Sequence, residues 1–352
     1  MNVFIYTLSL LTICFTLIPL IKHEYWIFRI FDYPRLQKLV LTVFCLLLLL
    51  SRFDHPPAAF EWILLTILIA NGIYLSSQIL PFTPLSKKQV LSVKENIEEQ
   101  SISLMVSNVY EDNINTVGCL KEIALANPDV VLLLETNGRW DRETRSLSVE
   151  YPFHVRVPLE NTYGMLLYSK LPLSAIKISY LVEEDIPSIH CVLSLRNGLN
   201  VQLYAVHPTP PVPNENPRST ERDKELLLIA DLTKRSSNPV IVIGDLNDVA
   251  WSYTTELFLK MSGLLDPRRG RGFYNTFHAH YPFMRFPLDH AFFSSDFKLQ
   301  ELKRLSNFNS DHFPIFIKIQ YETSASKQQE SLIPDAEDIE TATEKKEEPT
   351  EI

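Results

Sequence analysis

The pattern of apolar and polar positions divides the chain into a hydrophobic front, a mixed middle and a polar end. Residues 3–21 (VFIYTLSLLTICFTLIPLI) are an uncharged apolar run. Residues 39–51 form a shorter run, and 58–81 a third with Glu61 near its start. A helix that crosses a bilayer needs roughly 20 apolar residues. The first and third runs meet that length, and the second meets it only by borrowing 36–38. The pattern therefore predicts a membrane region over 1–81 with about three transmembrane helices. The first run has no basic leader and no small-x-small cleavage site, so it does not read as a cleaved signal. Residues 82–100 read as a polar linker.

From Ser101 the pattern becomes short β-rich runs alternating with helical ones. Strands are predicted over 101–108, 129–135, 164–169, 173–181, 189–195, 201–207, 240–244, 288–293, 297–305 and 313–320. Helices are predicted over 115–126, 220–234 and 252–262. Strands outnumber helices and several follow one another directly, which points to an α/β domain over 101–321 with two β-sheets and helices outside them. Residues 322–352 are rich in Glu, Thr, Ser and Lys and read as an acidic disordered tail.

Charge adds two points. The tail from 321 holds ten acids against three bases, while 101–320 holds 25 against 22. The middle is nearly neutral, which argues against a protein that coats nucleic acid. In the apolar front, Lys22, Arg29, Arg35 and Lys38 follow the first run, only Arg52 follows the second, and Lys87, Lys88 and Lys94 follow the third. With three spans, the first loop and the large domain share a side. That bias places the domain in the cytoplasm, with the extracytoplasmic side as the alternative. The four cysteines are widely spaced with no CxxC pair, which argues against a zinc site or a disulfide framework. No protein partner is indicated.

The candidate chemistry lies at strand ends. Asn108, Glu135 and His207 each close a strand. Asp245 and Asn247 follow the buried run VIVI, Asp289 stands in PLDHAFF, and Asp311-His312 precede FPIFIKI. Each has a plain structural reading as a cap, turn residue or satisfied histidine. Buried strands that end repeatedly in such residues point instead to one polar crater at one edge of a sandwich.

These motifs resemble the endonuclease/exonuclease/phosphatase family. The resemblance runs over about 101–320 and rests on SNV at 107–109, LLLET at 132–136, YGMLLYSKLPL at 163–173, AVHPTPP at 205–211, GDLND at 244–248, PLDHAFFS at 287–294 and SDHFPI at 310–315. It implies a four-layered α/β sandwich and divalent-metal-dependent hydrolysis of a phosphoester, with Mg²⁺ or Mn²⁺ as cofactor. Carried over by motif, Glu135 resembles the main metal ligand, with Asn108 and Asp311 beside it. Asp245 and Asn247 resemble the pair that aligns the attacking water, His312 the catalytic histidine, Asp289 its orienting carboxylate, and His207 a second charge-stabilising histidine. Tyr110 stands where the AP-endonuclease branch carries Asp, a departure from that branch's pattern that leaves one or two metals as alternatives.

Three apolar runs ahead of the domain resemble bacterial membrane-bound members thought to act on a lipid pyrophosphate, whose domain lies outside the cytoplasmic membrane. Arg268, Arg269 and Arg271, followed by Phe273 and Tyr274, form a candidate grip for a phosphate-rich substrate, with Arg285 able to join it. Three functions are thus set against one another: a membrane-anchored phosphoesterase acting on a lipid (pyro)phosphate in the bilayer, a tethered DNA or RNA nuclease, and a non-catalytic membrane-binding module.

Overall fold

The computed structural model describes residues 2–52 and 58–350. The apolar front folds into helices α1 (Asn2–Leu17), the single turn α2 (Trp26–Arg29), α3 (Arg35–Leu50) and α4 (Ala59–Ile79). Two stretches, Asn2–Ile21 and Ala59–Phe82, are long and apolar enough to cross a membrane. The middle one is not a straight span. Trp26–Asp32 and Arg35–Leu50 meet at a bend of 70°, and α3 alone has 16 residues, about 24 Å of helix.

The chain then alternates strands and helices: β1 (Ser101–Asn108), α5 (Thr116–Ala126), β2 (Val130–Leu134), α6 (Gly138–Glu143), β3 (Phe153–Val157), β4 (Met165–Ser169), β5 (Leu173–Ser179), β6 (Ser188–Ser194), β7 (Asn200–Val206), α7 (Thr220–Arg235), β8 (Val240–Asp245), α8 (Tyr253–Ser262), β9 (Asp289–Phe293), β10 (Phe297–Arg304), β11 (Ile315–Tyr321) and α9 (Ala336–Glu347). One sheet has the order β10-β11-β1-β2-β4-β3 and the other β5-β6-β7-β8-β9. Each contains one parallel pair, β1 with β2 and β7 with β8, connected through α5 and α7. The edge strand β3 is absent from the sequence-based reading. Its FHVRV sequence lies between Pro152 and Pro158 and is only half buried.

The two sheets face each other across one core. Ile102, Leu104 and Val106 of β1 meet Val201, Leu203 and Ala205 of β7 and Ile241 and Ile243 of β8 there. The intervening residues turn outward, Met105 and Val131 toward α5 and Val240 and Val242 toward α7 and α8. Helix, sheet, sheet, helix is the four-layered sandwich expected. Side chains alternate along a strand, so each inward row continues into the next inward position. Those positions are Asn108 after Val106, His207 after Ala205, Asp245 after Ile243, and Asp289 before Ala291.

Two expectations need correction. The acidic end is not an unstructured tail. Within 322–350, α9 lies over α7 and α8, burying Ala342 against Leu227 and Leu257. It is fixed by charge rather than apolar area: Lys345 reaches Asp223 at 2.9 Å, Lys346 reaches Asp231 at 2.9 Å, and Asp338 reaches Lys260 at 3.0 Å. The linker 82–100 is also laid on the domain. Val90 is buried in the inter-sheet core, and Ser92 bridges to Leu299.

The segment between α1 and α3 packs on the domain as well. Trp26 N donates to Pro217 O at 2.8 Å, and Ser219 N donates to Glu24 O at 2.9 Å. Four of the seven cations in the charge-bias argument are engaged by the fold, two of them by the domain and two within the apolar front. Lys22 pairs with Glu337, Arg29 with Asp223 and Arg35 with Asp32, while Lys38 donates to backbone carbonyls. The Lys/Arg count therefore does not by itself assign a side of a membrane to the domain.

Candidate active site

The polar ends of the inward rows meet at one edge of the sandwich. Asn108 Nδ2 donates to Glu135 Oε1 at 2.7 Å and to Asp245 Oδ2 at 3.1 Å. It thereby ties the two sheets together, since β1 and β8 belong to different ones. His312 Nδ1 is 2.7 Å from Asp289 Oδ2, and its Nε2 is 3.5 Å from Asp245 Oδ2. Asp245 and Asp289 are register partners on β8 and β9, so the ladder itself holds both carboxylates beside the imidazole. His312 arrives from the loop before β11, where Ser310 Oγ donates to Asn108 O at 2.8 Å.

Backbone conformation sharpens these positions. Glu135 (φ 58°) and Asn247 (φ 51°) both lie in the left-handed region, which a glutamate enters only when its surroundings over-determine it. Gly244 precedes Asp245 because any Cβ there would lie 1.8 Å from Val206 O. The close approach of β7 and β8 at their ends requires glycine.

The electrostatics are those of a site short of positive charge. Burial pushes the Glu135 carboxyl up to about 7, with Asp311 and Asp245 adding to the shift and Asn108 and His312 opposing it. Burial also raises Asp289. On His312 burial works against protonation, but Asp289 and Asp245 outweigh it and raise the imidazole to about 10. On His207 burial prevails over the opposing charge of Asp245 and lowers the imidazole to about 4, so it is neutral at physiological pH. Its Nδ1 has no hydrogen-bond partner among the described residues, and its ring lies 5.2 Å from that of Tyr163.

The donor set fits a hard divalent cation. Carboxylate oxygens on rigid strand ends suit Mg²⁺ or Mn²⁺, and a buried glutamate with a raised pKa is a carboxylate that a cation would return to its ionised form. Ligand atoms of Asp245, Asp289 and His312 lie within 4.8 Å of one another. Asp289 and His312 are already closed on each other, so the open side of the group is that of Glu135, Asp245 and Asp311. Asn108 is in the site but turned otherwise than expected for a ligand. Its Oδ1 accepts from Tyr110 N at 3.0 Å, which directs its amide nitrogen, not its oxygen, at Glu135. Asn247 is likewise committed to the scaffold, donating from Nδ2 to Pro208 O at 2.9 Å and tying the Asp245 loop to the His207 loop.

The basic cluster is not part of the crater. Arg268 is buried at 2 % exposure, paired with Asp266 at 2.9 Å and hydrogen-bonded to His290 Nδ1 at 2.6 Å. His290 faces away from the inward row that carries Asp289. Arg269 packs over Phe82 at 5.3 Å, and Arg271 donates to Val90 O and Pro267 O. Each is engaged within the domain or against the linker: Arg268 by a buried aspartate and histidine, Arg269 by Phe82 and Glu256, and Arg271 chiefly by backbone carbonyls. The sequence-based reading passed over Phe277 and His278, and it quoted Tyr163 only as part of a motif. Phe277 stacks beside His312 at 4.9 Å, and Ala279 N donates to Asp311 O at 2.6 Å, which brings 277–279 to the rim. Two histidines spaced by one residue in FHAHY, between the Asp245 and Asp289 motifs, were the available signal.

Comparison with known proteins bears on the family and the fold. Residues 105–312 match the endonuclease/exonuclease/phosphatase family. Among solved structures, D. rerio TDP2 complexed with single-strand DNA product is 17% identical with a TM-score of 0.53, over 62% of this chain and 99% of that one. The human Nocturnin catalytic domain with bound sulfate is 18% identical with a TM-score of 0.51, over 65% and 96%. An endonuclease/exonuclease/phosphatase from Bacteroides vulgatus is 16% identical with a TM-score of 0.51, over 63% and 99%. No curated protein matches the sequence. Members of the family are hydrolases of phosphoester bonds and generally use a divalent metal. The match spans more than half of the chain and contains both the carboxylate crater and its histidine, and the chain belongs to the endonuclease/exonuclease/phosphatase family.

Proposed function

We propose that the protein is a membrane-anchored, divalent-metal-dependent phosphoesterase whose substrate is a lipid phosphate or pyrophosphate. The observation that carries the lipid reading is the contact between the apolar front and the catalytic loop. Tyr33, in the turn between α2 and α3, donates to Asn247 O at 3.0 Å, and Trp251 Nε1 donates to Asp32 O at 3.0 Å. The crater loop is thus built against the α2–α3 turn, which lies in the chain between the two stretches long enough to span a bilayer, and tethering raises the local concentration of a substrate in the same membrane. The nearly neutral domain and the burial of Arg268 weigh against a nuclease, which needs a basic face.

Glu135, Asp311 and Asp245 would hold the metal, which supplies electrophilic stabilisation of the phosphoryl oxygens. Asp245, with one oxygen on Asn108 and the other on the Asn247 amide, orients water for attack. His312, kept protonated by Asp289, presents positive charge where negative charge builds in the transition state. His207, neutral and desolvated, stands by as a proton acceptor or donor on the opposite loop.

The test compares the full-length protein with Asp245→Ala, both with Mg²⁺. Phosphate release from an isoprenyl pyrophosphate, lost in the variant, is expected. Plasmid nicking lost in the variant without phosphate release would make the protein a tethered nuclease.

A further inference from the structure

We propose that the cavity between α3 and residues 273–285 receives the hydrocarbon chain of the substrate. This inference rests on the lipid-phosphoester reading of the crater and names where the apolar half of that molecule lies. The cavity has a volume of about 690 Å³, within the range of ligand sites. One wall is the α3 face of Leu36, Val40, Leu41 and Phe44, and the other is Trp251, Phe273 and Phe283. The α3 positions follow helical spacing over roughly 12 Å of axis. The wall is held in place, since Gln37 Nε2 donates to Phe283 O at 2.8 Å and Trp251 packs edge-on to Phe273 at 5.5 Å.

The cavity has an apolar mouth and a polar inner end. Val40 is 63% exposed and Phe283 87%, so the mouth opens on the surface of the helices that the bilayer would cover. Asn275 and Arg285 supply the polar end. Asn275 Oδ1 and Arg285 Nε are buried with no hydrogen-bond partner among the described residues. Arg285 lies over the Phe313 ring at 4.9 Å, next in sequence to His312, and Phe277 of the same loop is against His312 itself. A molecule with a phosphoester at His312 and a long apolar chain matches this order from crater to mouth. A second copy of the chain would need apolar complementarity but not the polar end at Asn275 and Arg285.

The experiment uses the full-length protein in phosphatidylcholine nanodiscs with Mg²⁺. Phosphate release is measured from dimethylallyl and from farnesyl pyrophosphate, for the wild type, Val40→Trp and Phe283→Asp. The wild type is expected to favour the longer chain by at least about tenfold in kcat/KM, as burial of about two further methylenes would give. That ratio should collapse in both variants through KM. Phe283 lies on an exposed loop, so its replacement tests the cavity without endangering α3. A wild type with no chain-length preference, or a preference intact in both variants, would overturn the inference while leaving the phosphatase reading standing.

Binding is read separately by quenching of Trp251 fluorescence with a bromine-tailed alkyl phosphate, taken as the component missing in Trp251→Phe. Quenching of that component, together with the chain-length preference, supports the proposal, and plasmid nicking in place of phosphate release would refute the lipid reading on which it rests. Absence of that quenching, or a change of oligomeric state in the variants in place of a chain-length effect, refutes the proposal.

Discussion

At the crater four carboxylates, Glu135, Asp245, Asp289 and Asp311, share one charged histidine, whereas three cations converge on Asp223, with Asp248 and Glu24 as further partners of Arg222 and Lys345. Arg29 lies at 3.1 Å, Arg222 at 3.0 Å and Lys345 at 2.9 Å from Asp223, and together they hold its carboxyl well below the usual range against the cost of burial. The two groups are neighbours, because Arg222 Nη1 also donates to Asn247 O at 2.8 Å. One is complete within the chain and joins the first loop, α7 and α9. The other leaves charge uncompensated, as a site must if a cation and a phosphoryl group are to complete it. Burial of charge alone does not mark function; burial without enough partners does.

The largest expected effect is chemical. His312→Ala and Asp245→Ala should each lower kcat by a factor of roughly 1000 or more. Asp245→Asn, which removes a like charge from the crater, should leave the metal-free melting temperature equal or higher. A variant that keeps its turnover would break the assignment. Next is the structural group. Asp223→Ala removes the carboxylate on which three buried cations converge and should cost about 3–5 kcal/mol in denaturant unfolding, the opposite stability response to that of the crater.

The third prediction concerns pH. The Glu135 carboxyl is raised in the fold to about 7 from an ordinary value of 4.5, so the fold favours its protonated form. Without metal its contribution to stability is full below pH 4.5 and is lost as pH rises through about 7, by at most about 3 kcal/mol. The difference in melting temperature between wild type and Glu135→Gln should open over that window. Excess Mg²⁺ should raise the wild-type melting temperature at neutral pH, by about 2.7 kcal/mol at a hundredfold excess over its dissociation constant, and EDTA should reverse the gain. Glu135→Gln should not respond.

Truncation after residue 334 removes Lys345 and α9. It should cost about 1–3 kcal/mol, by thermal melting, as a buried charge loses one of several partners. The smallest effect is expected from Arg269→Ala, whose side chain packs over Phe82. A loss of about 1 kcal/mol or less in stability, with no change in the salt dependence of substrate binding, would separate the basic cluster from the site for good.

The sandwich and its crater were legible in the chain itself, for a local reason. Each inward row is written at every second residue of a strand, so VIVIGD carries both the buried face and the carboxylate that ends it, and only Gly fits the approach of β7 and β8 just before. The helical front was legible because about 20 apolar residues in a row have few other uses. What the tertiary structure alone decided involves partners far apart in sequence. Arg268, Arg269 and Arg271 read as an open basic patch until Asp266, Phe82 and Val90 O absorb them. The 322–350 segment has too little apolar surface to fold by itself, and its helix is held by Asp223, Asp231 and Lys260 from α7 and α8. The cavity beside α3 exists only because residues 273–285 fold back onto a helix more than 200 positions earlier. Periodicity records which face of an element is buried; charge pairing and cavity shape depend on which faces meet, and that is settled only when the chain closes on itself.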